Sequence, residues 1–491
     1  MKLSTFVIVS IFIISIQTQA QVNQPTRFPY QPYSVNNKDA FLLGLPNNNL
    51  VMFWYDLQFN QIKYARSSDG GNYWINTDSL VNIVESESYV DINAVVLPSG
   101  RVLVTYRSTF YYYVYSDNNC STWSTPVVLP TRAGILARRK VFQSSLSVKG
   151  NGDISFIHSV SQIYDNEKAT HIFSINSSNG INCSPADTID VSGKTGQIIN
   201  VDPNKDILVY SDSTENSFDL FIRTSTNSGI TWSNRTLLVG DILNQSRPRG
   251  IKDQNGKIWI YYNQGVETPF LDIYQSDINF ITSSDNGINW STPDKFTKYV
   301  GYDYILNISK WSGRPIMTLK SSRDFNSYSG YFQFYYTIAD GIIDLNVPPF
   351  MYLFTHQIVD PFPNQPYFIR AFVDDDREVI SVNLNTYTNP PGINETVEMF
   401  DDGLHNDSLP GDKIYGIELS LPNYGDFKSY NFSITDNDLN IKNFYGYFFS
   451  IPMEYALDTY LFDVNNFKFP IDNRGVLGDS LINGKGGGRF D

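Results

Sequence analysis

The sequence predicts an all-β chain: six four-stranded repeat units followed by an antiparallel sandwich. Three observations carry this reading. An octet of pattern Ser-x-Asp-x-Gly-x-x-Trp recurs along the first two thirds of the chain, a Pro/Asn/Gly hairpin recurs upstream of each copy, and no helical period of comparable strength appears after the first twenty residues.

Composition narrows the function classes. The chain has 491 residues, 41% of them apolar and 15% aromatic, with 36 Lys+Arg against 50 Asp+Glu and a net charge of -14. That length implies two or more domains or one large repeat array. The apolar content can fill a large core, so this is not a disordered acidic chain. The acidic balance counts against nucleic acid and anionic lipid, which need a positive face. Cys120 and Cys183 are the two cysteines, too few to staple a chain this long, so stability must come from packing.

Residues 1–20 read as a signal peptide. Lys2 gives the positive start, Phe6 to Ile16 is an apolar run, and Thr18-Gln19-Ala20 places small residues at a cleavage site. The run is shorter than the roughly 20 residues a bilayer requires. The mature chain is expected to start at Gln21, to carry no membrane span and to be secreted or held at the cell surface.

Two octets match at every signature position: Ser67-Ser68-Asp69-Gly70-Gly71-Asn72-Tyr73-Trp74 and Ser283-Ser284-Asp285-Asn286-Gly287-Ile288-Asn289-Trp290. A third, Ser225 to Trp232, keeps Gly229 and has Asn227 for Asp. The stretch from Ser116 to Trp123 loses the glycine, and that from Asn176 to Cys183 loses the tryptophan. The residues at the Trp position are 74, 123, 183, 232 and 290, so the spacings are 49, 60, 49 and 58, which fits one four-stranded sheet per repeat. Within an octet the Asp or Asn accepts backbone N–H bonds, the Gly takes a positive φ, and the Ser hydroxyl ties the loop to itself. The Trp then opens the next strand and can bury its ring between sheets.

The upstream hairpins lead into the runs Leu50 to Tyr55, Val102 to Tyr106, Ile154 to Ile157, Ile207 to Tyr210 and Ile258 to Tyr262. Each repeat therefore reads strand, turn, strand, loop, strand, octet, strand. A sixth unit without an octet runs from Tyr302 to Ala339.

The octets resemble the Asp-boxes, or bacterial neuraminidase repeats, of the sialidase superfamily. The resemblance covers residues 36 to 345 and implies a six-bladed β-propeller, within a first domain of 21–350, in which the boxes lie away from the active-site mouth. Ser67, Asp69, Gly71, Trp74, Ser225, Asn227, Gly229, Trp232, Ser283, Asp285, Gly287 and Trp290 are then scaffold.

The same resemblance implies three arginines for a substrate carboxylate, an Asp acid, and a Tyr nucleophile partnered by a Glu. Arg27-Phe28-Pro29 is the nearest match to the motif that carries the first arginine. It lies 23 residues before Leu50-Val51, too far for the usual strand, and the slot itself falls near Lys38-Asp39-Ala40. The strand at Gly196 to Asn200 offers no Glu. Arg247 and Arg249, Tyr302 or Tyr304, and Asp56 stand in plausible places, so the catalytic candidates are Asp56, Arg247, Arg249 and Tyr304. The incomplete set favours a propeller that binds an extracellular glycan or protein without sialidase activity; the alternative is a sialidase-like exo-glycosidase acting at the mouth.

Other chemistries have less support. His158, His171, His356 and His405 have no metal spacing. No Gly-x-Ser-x-Gly elbow, phosphate loop or dinucleotide fingerprint occurs. Cys120 and Cys183 could pair in a secreted chain, although turns on different blades should hold them apart. Asn-x-Ser/Thr sequons stand at Asn234, Asn307 and Asn394 among others.

After Pro348-Pro349 the octets stop. Strand-like runs at Tyr367 to Val373, Val379 to Leu384, Glu395 to Phe400, Ile414 to Leu421 and Tyr430 to Thr435 suggest a sandwich at 351–452. Its densest motif, Asp401 to Gly416, resembles a stretch found in immunoglobulin-like modules of large secreted bacterial proteins. Asp401, Asp402, Asp407 and Asp412 could hold Ca²⁺, but an Asx-rich loop satisfying its own backbone is the preferred reading. No other cofactor is expected. Residues 453–491 read as a tail or linker, with weak strand signals near Thr459 to Val464 and Phe467 to Ile471.

Overall fold

The computed structural model describes residues 25–30, 39–83, 90–131, 144–161, 170–190, 192–213, 217–240, 243–266, 275–298, 302–323, 333–341, 343, 348–358, 366–375, 377–389, 392–407, 409–420 and 427–450. Every α-helical or β-strand element within them is a strand. The expected signal peptide at 1–20 and the tail at 453–491 lie outside the described residues.

After a short β1 (Thr26–Arg27), blade 1 comprises β2 (Ala40–Gly44), β3 (Leu50–Asp56), β4 (Gln61–Ser67) and β5 (Ile75–Asn82). Blade 2 comprises β6 (Asn93–Val96), β7 (Val102–Arg107), β8 (Tyr111–Ser116) and β9 (Val127–Val128). Blade 3 comprises β10 (Ser145–Val148), β11 (Ile154–Ser161), β12 (Thr170–Ser177) and β13 (Asp187–Asp190). Blade 4 comprises β14 (Lys194–Asn200), β15 (Asp206–Ser213), β16 (Phe218–Ser225) and β17 (Thr236–Val239). Blade 5 comprises β18 (Gln245–Lys252), β19 (Ile258–Val266), β20 (Gln275–Ser283) and β21 (Asp294–Lys295). Blade 6 comprises β22 (Asp303–Trp311), β23 (Arg314–Ser321) and β24 (Gln333–Ile338), with β1 as its fourth strand. The first strands touch in a closed cycle, β2 to β6, β10, β14, β18, β22 and back to β2. The fold is a six-bladed β-propeller.

The unbroken apolar runs in the second strands follow from this geometry. Alternate residues of a strand face opposite sides of its sheet, and each blade is sandwiched between two others. Along β3, Val51, Phe53 and Tyr55 join the core shared with blade 2, while Leu50, Met52 and Trp54 join the core shared with blade 6. Along β19, Ile258, Ile260 and Tyr262 face blade 4, and Trp259 and Tyr261 face blade 6.

The ring is closed by its first described strand, β1. Thr26 and Arg27 pair with Tyr336 and Tyr335 of β24, and the Phe28 amide donates to the Phe334 carbonyl at 2.9 Å. Arg27 thus belongs to the outer edge of blade 6 and not to the first blade. Phe28, fully buried, sets its ring against Trp54 and Trp74 of blade 1.

The octets and the first hairpins share one face of the ring. Ser67 Oγ donates to Asp69 Oδ1 at 2.8 Å and accepts from Gly71 N at 2.9 Å, while Asp69 Oδ1 also accepts from Tyr73 N. Ser116, Ser225 and Ser283 repeat this arrangement, with Cys120 accepting the glycine's place at φ 63°. The copy in blade 3 is one residue shorter than its sequence alignment implies: Ser177, and not Asn176, supplies the hydroxyl, to Asn179 and Gly180. Cations of one blade grip the octet of the next. Arg101, Lys149 and Lys205 donate to the carbonyls of Asn179, Ser228 and Asn286. Tyr336 does the same to Gly71.

The C-terminal unit contains β25 (Phe350–Ile358), β26 (Pro366–Asp374), β27 (Val379–Asn389), β28 (Ile393–Met399), β29 (Ile414–Ser420), β30 (Phe427–Asp436) and β31 (Ile441–Ser450). Two antiparallel sheets, β25-β26-β29 and β28-β27-β30-β31, face each other across one core containing Ile369, Phe372, Leu384, Tyr430 and Phe432. β25 and β31 were not among the five expected runs. Tyr302, at the start of β22, packs against this core.

Candidate binding face at the propeller mouth

The face opposite the octets carries the starts of the first strands and the hairpins between second and third strands. It is where the sequence placed its catalytic candidates. Near the axis, polar side chains of one blade bind backbone of another. Asp39 Oδ2 accepts from Ile92 N of blade 2 at 2.5 Å, Asp91 Oδ2 from Ser144 N of blade 3 at 2.5 Å, and Gln197 Oε1 from Gly250 N of blade 5 at 2.9 Å. Each of these links spans 53 residues, one repeat period. Asn307 closes the circuit from blade 6 by donating to the carbonyls of Ala40 and Ile92.

Arg249 lies across the axis itself. It is 1% exposed, and its Nε donates to Leu306 O of blade 6 at 3.2 Å and its Nη2 to Ser144 O of blade 3 at 3.3 Å. Asp91 of blade 2 and Asp39 of blade 1 supply countercharge. Burial lowers the Arg249 pKa to about 10, so the guanidinium stays charged at neutral pH, and Asp91 helps to keep it so. Burial, reinforced by the Asp91 charge, holds Asp39 well above the usual carboxylate range, and burial also pushes Asp91 up. His158 of β11 is enclosed beside Phe156 and Tyr111, and burial takes its pKa down to about 3, so the imidazole is neutral.

Arg247 takes another course. The register between β18 and β19 shifts between Ser246 and Arg249, and Arg247 adopts φ 53°. A bulge of this kind re-aims a side chain, and left-handed conformations in non-glycine residues gather at functional sites. The Arg247 guanidinium stands over the Tyr304 ring at 5.3 Å, and Tyr304 stacks on Tyr302 with ring centroids 5.4 Å apart. Beside them Arg323 Nη2 pairs with Asp303 at 3.1 Å and lies over the Tyr335 ring. Blades 5 and 6 thus build a half-buried cation and aromatic surface.

Of the four catalytic candidates, the structure brings Arg247 and Tyr304 into contact. Arg249 lies in the axial plug beside Arg247. Asp56 remains in its own blade 1 hairpin, accepting from Gln58 N and Phe59 N and pairing with Lys63 at 2.8 Å. Sequence reasoning missed Asp39, Asp91 and Asn307 as ties between blades. For Asp39 and Asp91 the signal that finds them is their recurrence just before the first strand of successive repeats; Asn307, inside β22, has no such counterpart.

The remaining candidates are placed as follows. The thiols of Cys120 and Cys183 are free; Cys120 packs in the blade 1 and 2 core and Cys183 against that of blades 2 and 3. Asn307 is buried and committed to backbone carbonyls, so that sequon is closed in the fold, whereas Asn234 and Asn394 are exposed. In the acidic loop Asp401 accepts from the amides of Gly411, Asp412 and Lys413, Asp402 from Leu404, Asp407 from Gly403, and Asp412 from Ile414. Among the described residues no group of three His, Cys, Asp or Glu is arranged to hold a metal ion. Nor, among them, is any helix long and apolar enough to cross a membrane.

No protein-family model matches the chain, and no curated protein matches it. Among solved structures it is similar to a Hadza microbial sialidase, at 14% identity and a TM-score of 0.47 over 65% of this chain and 69% of that one. It is similar to an α-L-arabinofuranosidase from Fusarium graminearum, also at 14% identity and 0.47, over 65% and 97%. The Aleuria aurantia lectin matches at 13% identity and 0.41, over 60% and 93%. Identities this low transfer no residue roles.

Proposed function

We propose that the protein is a secreted or cell-surface propeller that binds a glycan on the mouth rim of blades 5 and 6 and does not cleave sialosides. The observation that carries the reading is the Arg247, Tyr304 and Tyr302 stack. An aromatic face takes the apolar side of a sugar ring, and a guanidinium beside it donates to hydroxyl or carboxylate oxygens. The absence of catalysis is supported by the fate of the acids. Asp39 and Asp91 are committed to backbone amides of other blades, and Asp56 is ion-paired within its own hairpin.

The test is a glycan array run beside a fluorogenic sialoside and a panel of other glycosides. Binding should fall about tenfold or more in Tyr304→Ala and in Arg247→Ala. Turnover of any glycoside that disappears in Tyr304→Phe or Asp56→Asn would replace this reading with the exo-glycosidase one. Export is tested separately, since N-terminal sequencing of the exported protein should return Gln21.

A further inference from the structure

A cavity of about 370 Å³ runs along the propeller axis on the octet side of Arg249. All six first strands line it, and its inner end is formed by Gln197 and Gly250, hydrogen-bonded to each other across blades 4 and 5. The waist is tight, since a Cβ on Gly250 would stand 2.1 Å from the end of the Ile199 side chain and would have to displace it. The cavity is therefore a funnel closed on the mouth side and open beside the octets. None of Asp56, Arg247, Arg249 and Tyr304 lines it.

Its polar lining is weighted towards donors. Lys252 and Lys310 stand at the wide end. Lys252 Nζ is shared between Val201 O and Asn286 Oδ1. Deeper in, Ser147 is 7% exposed, and its Oγ is buried without a hydrogen-bond partner. A buried hydroxyl left unpaired costs stability and marks a position where a ligand or water completes the bond. The one carboxylate at the rim, Asp253, is already occupied by the amides of Asn255 and Lys257 and by the Trp259 indole N–H. The volume equals roughly a dozen water molecules at about 30 Å³ each, enough for a small organic or inorganic anion.

We propose that this axial funnel is a second ligand site, distinct from the mouth, that takes a small carboxylate- or phosphate-bearing anion held by Lys310 and Ser147. Lys310 supplies the charge from the exposed wide end, Ser147 Oγ donates to one anion oxygen, and the apolar walls of Ile198, Ile199 and Ile308 shield the deeper Ser147 bond from water.

The test uses the full chain, titrated calorimetrically with citrate and with pyrophosphate at matched ionic strength, with a neutral disaccharide as control. Saturable one-site binding of either anion is expected; citrate alone points to a carboxylate ligand and pyrophosphate alone to a phosphate. Lys310→Met keeps the stem and should weaken binding at least tenfold. Ser147→Ala should weaken it several-fold while raising the melting midpoint of the ligand-free protein, because the unpaired hydroxyl is gone. Tyr304→Ala, at the other end of the ring, should leave anion binding unchanged. No saturable binding of either anion at millimolar concentration, or binding that survives intact in Lys310→Met and Ser147→Ala, overturns the proposal.

Discussion

Phe28 is the side chain on which closure of the ring most depends. β1 has only two residues in register with β24, so backbone pairing contributes little, and the latch rests on the ring that follows it. That ring is 0% exposed, with centroids 5.0 Å from Trp54, 5.2 Å from Trp74 and 6.0 Å from Tyr30. Truncating a buried Phe to Ala costs about 3 to 5 kcal/mol. The upper part of that range is expected, because three edge-on partners lose a face at once and the walls belong to two different blades. For a propeller of roughly 320 residues, unfolding entropy of about 2.1 cal/mol/K per residue gives about 0.65 kcal/mol/K. Phe28→Ala should then lower Tm by about 5 to 8 °C. Calorimetry measures the shift, and the emission of Trp54 and Trp74 reports whether the latch has opened. Thr26→Ala, exposed on the same strand, is the control and should stay within about 0.5 kcal/mol of wild type. A fall below about 1 °C with unchanged tryptophan emission would refute the reasoning.

Arg249→Met should cost about 3 to 5 kcal/mol in chemical denaturation, because the Leu306 and Ser144 carbonyls would lose their buried donor and Asp91 its countercharge. His158 has a folded pKa depressed to about 3 against an ordinary value near 6.5, so its contribution is complete above pH 6.5 and is lost as pH falls below it. Between pH 6.5 and 5 wild type should therefore lose about 1.4 kcal/mol per pH unit more than His158→Gln, read from urea midpoints. Trp74→Ala should destabilise more than Trp290→Ala, since Trp74 is buried against Phe28 and Tyr336 while Trp290 is half-buried; paired thermal melts check the order. The Asp285 carboxyl, held near pKa 2 by the Asn289 amide and side chain, should contribute stability that disappears as pH drops from about 4 towards 2, and Asp285→Ala should abolish that part of the acid profile.

The strands that the sequence located most securely are the second strands, such as β3 and β19. Both faces of these strands are buried, so their apolar runs are continuous and their ends are marked by hairpin residues. The octet turns were equally legible because Ser, Asp and Gly satisfy one another within five residues. The blade 3 octet was placed one residue off, since the Gly180 amide donates to the Ser177 hydroxyl three residues back where the other copies span four, and only the fold shows that shortening. Arg27 illustrates the opposite case. Its spacing already put it too far from Leu50 for the first-blade strand, but only the fold shows that it pairs with β24, some 300 positions away.

What the sequence determined by itself, therefore, was everything with a local cause: the number of blades, the order of strands within each, and the hydrogen-bonded turns between them. The tertiary structure alone decided which residues meet across the ring. Arg249, Asp39 and Asp91 sit on blades 5, 1 and 2, and Arg247 and Tyr304 face each other only because a bulge turns one of them outward. Such contacts join residues with no shared local signal, and closing the circle is the step that brings them together.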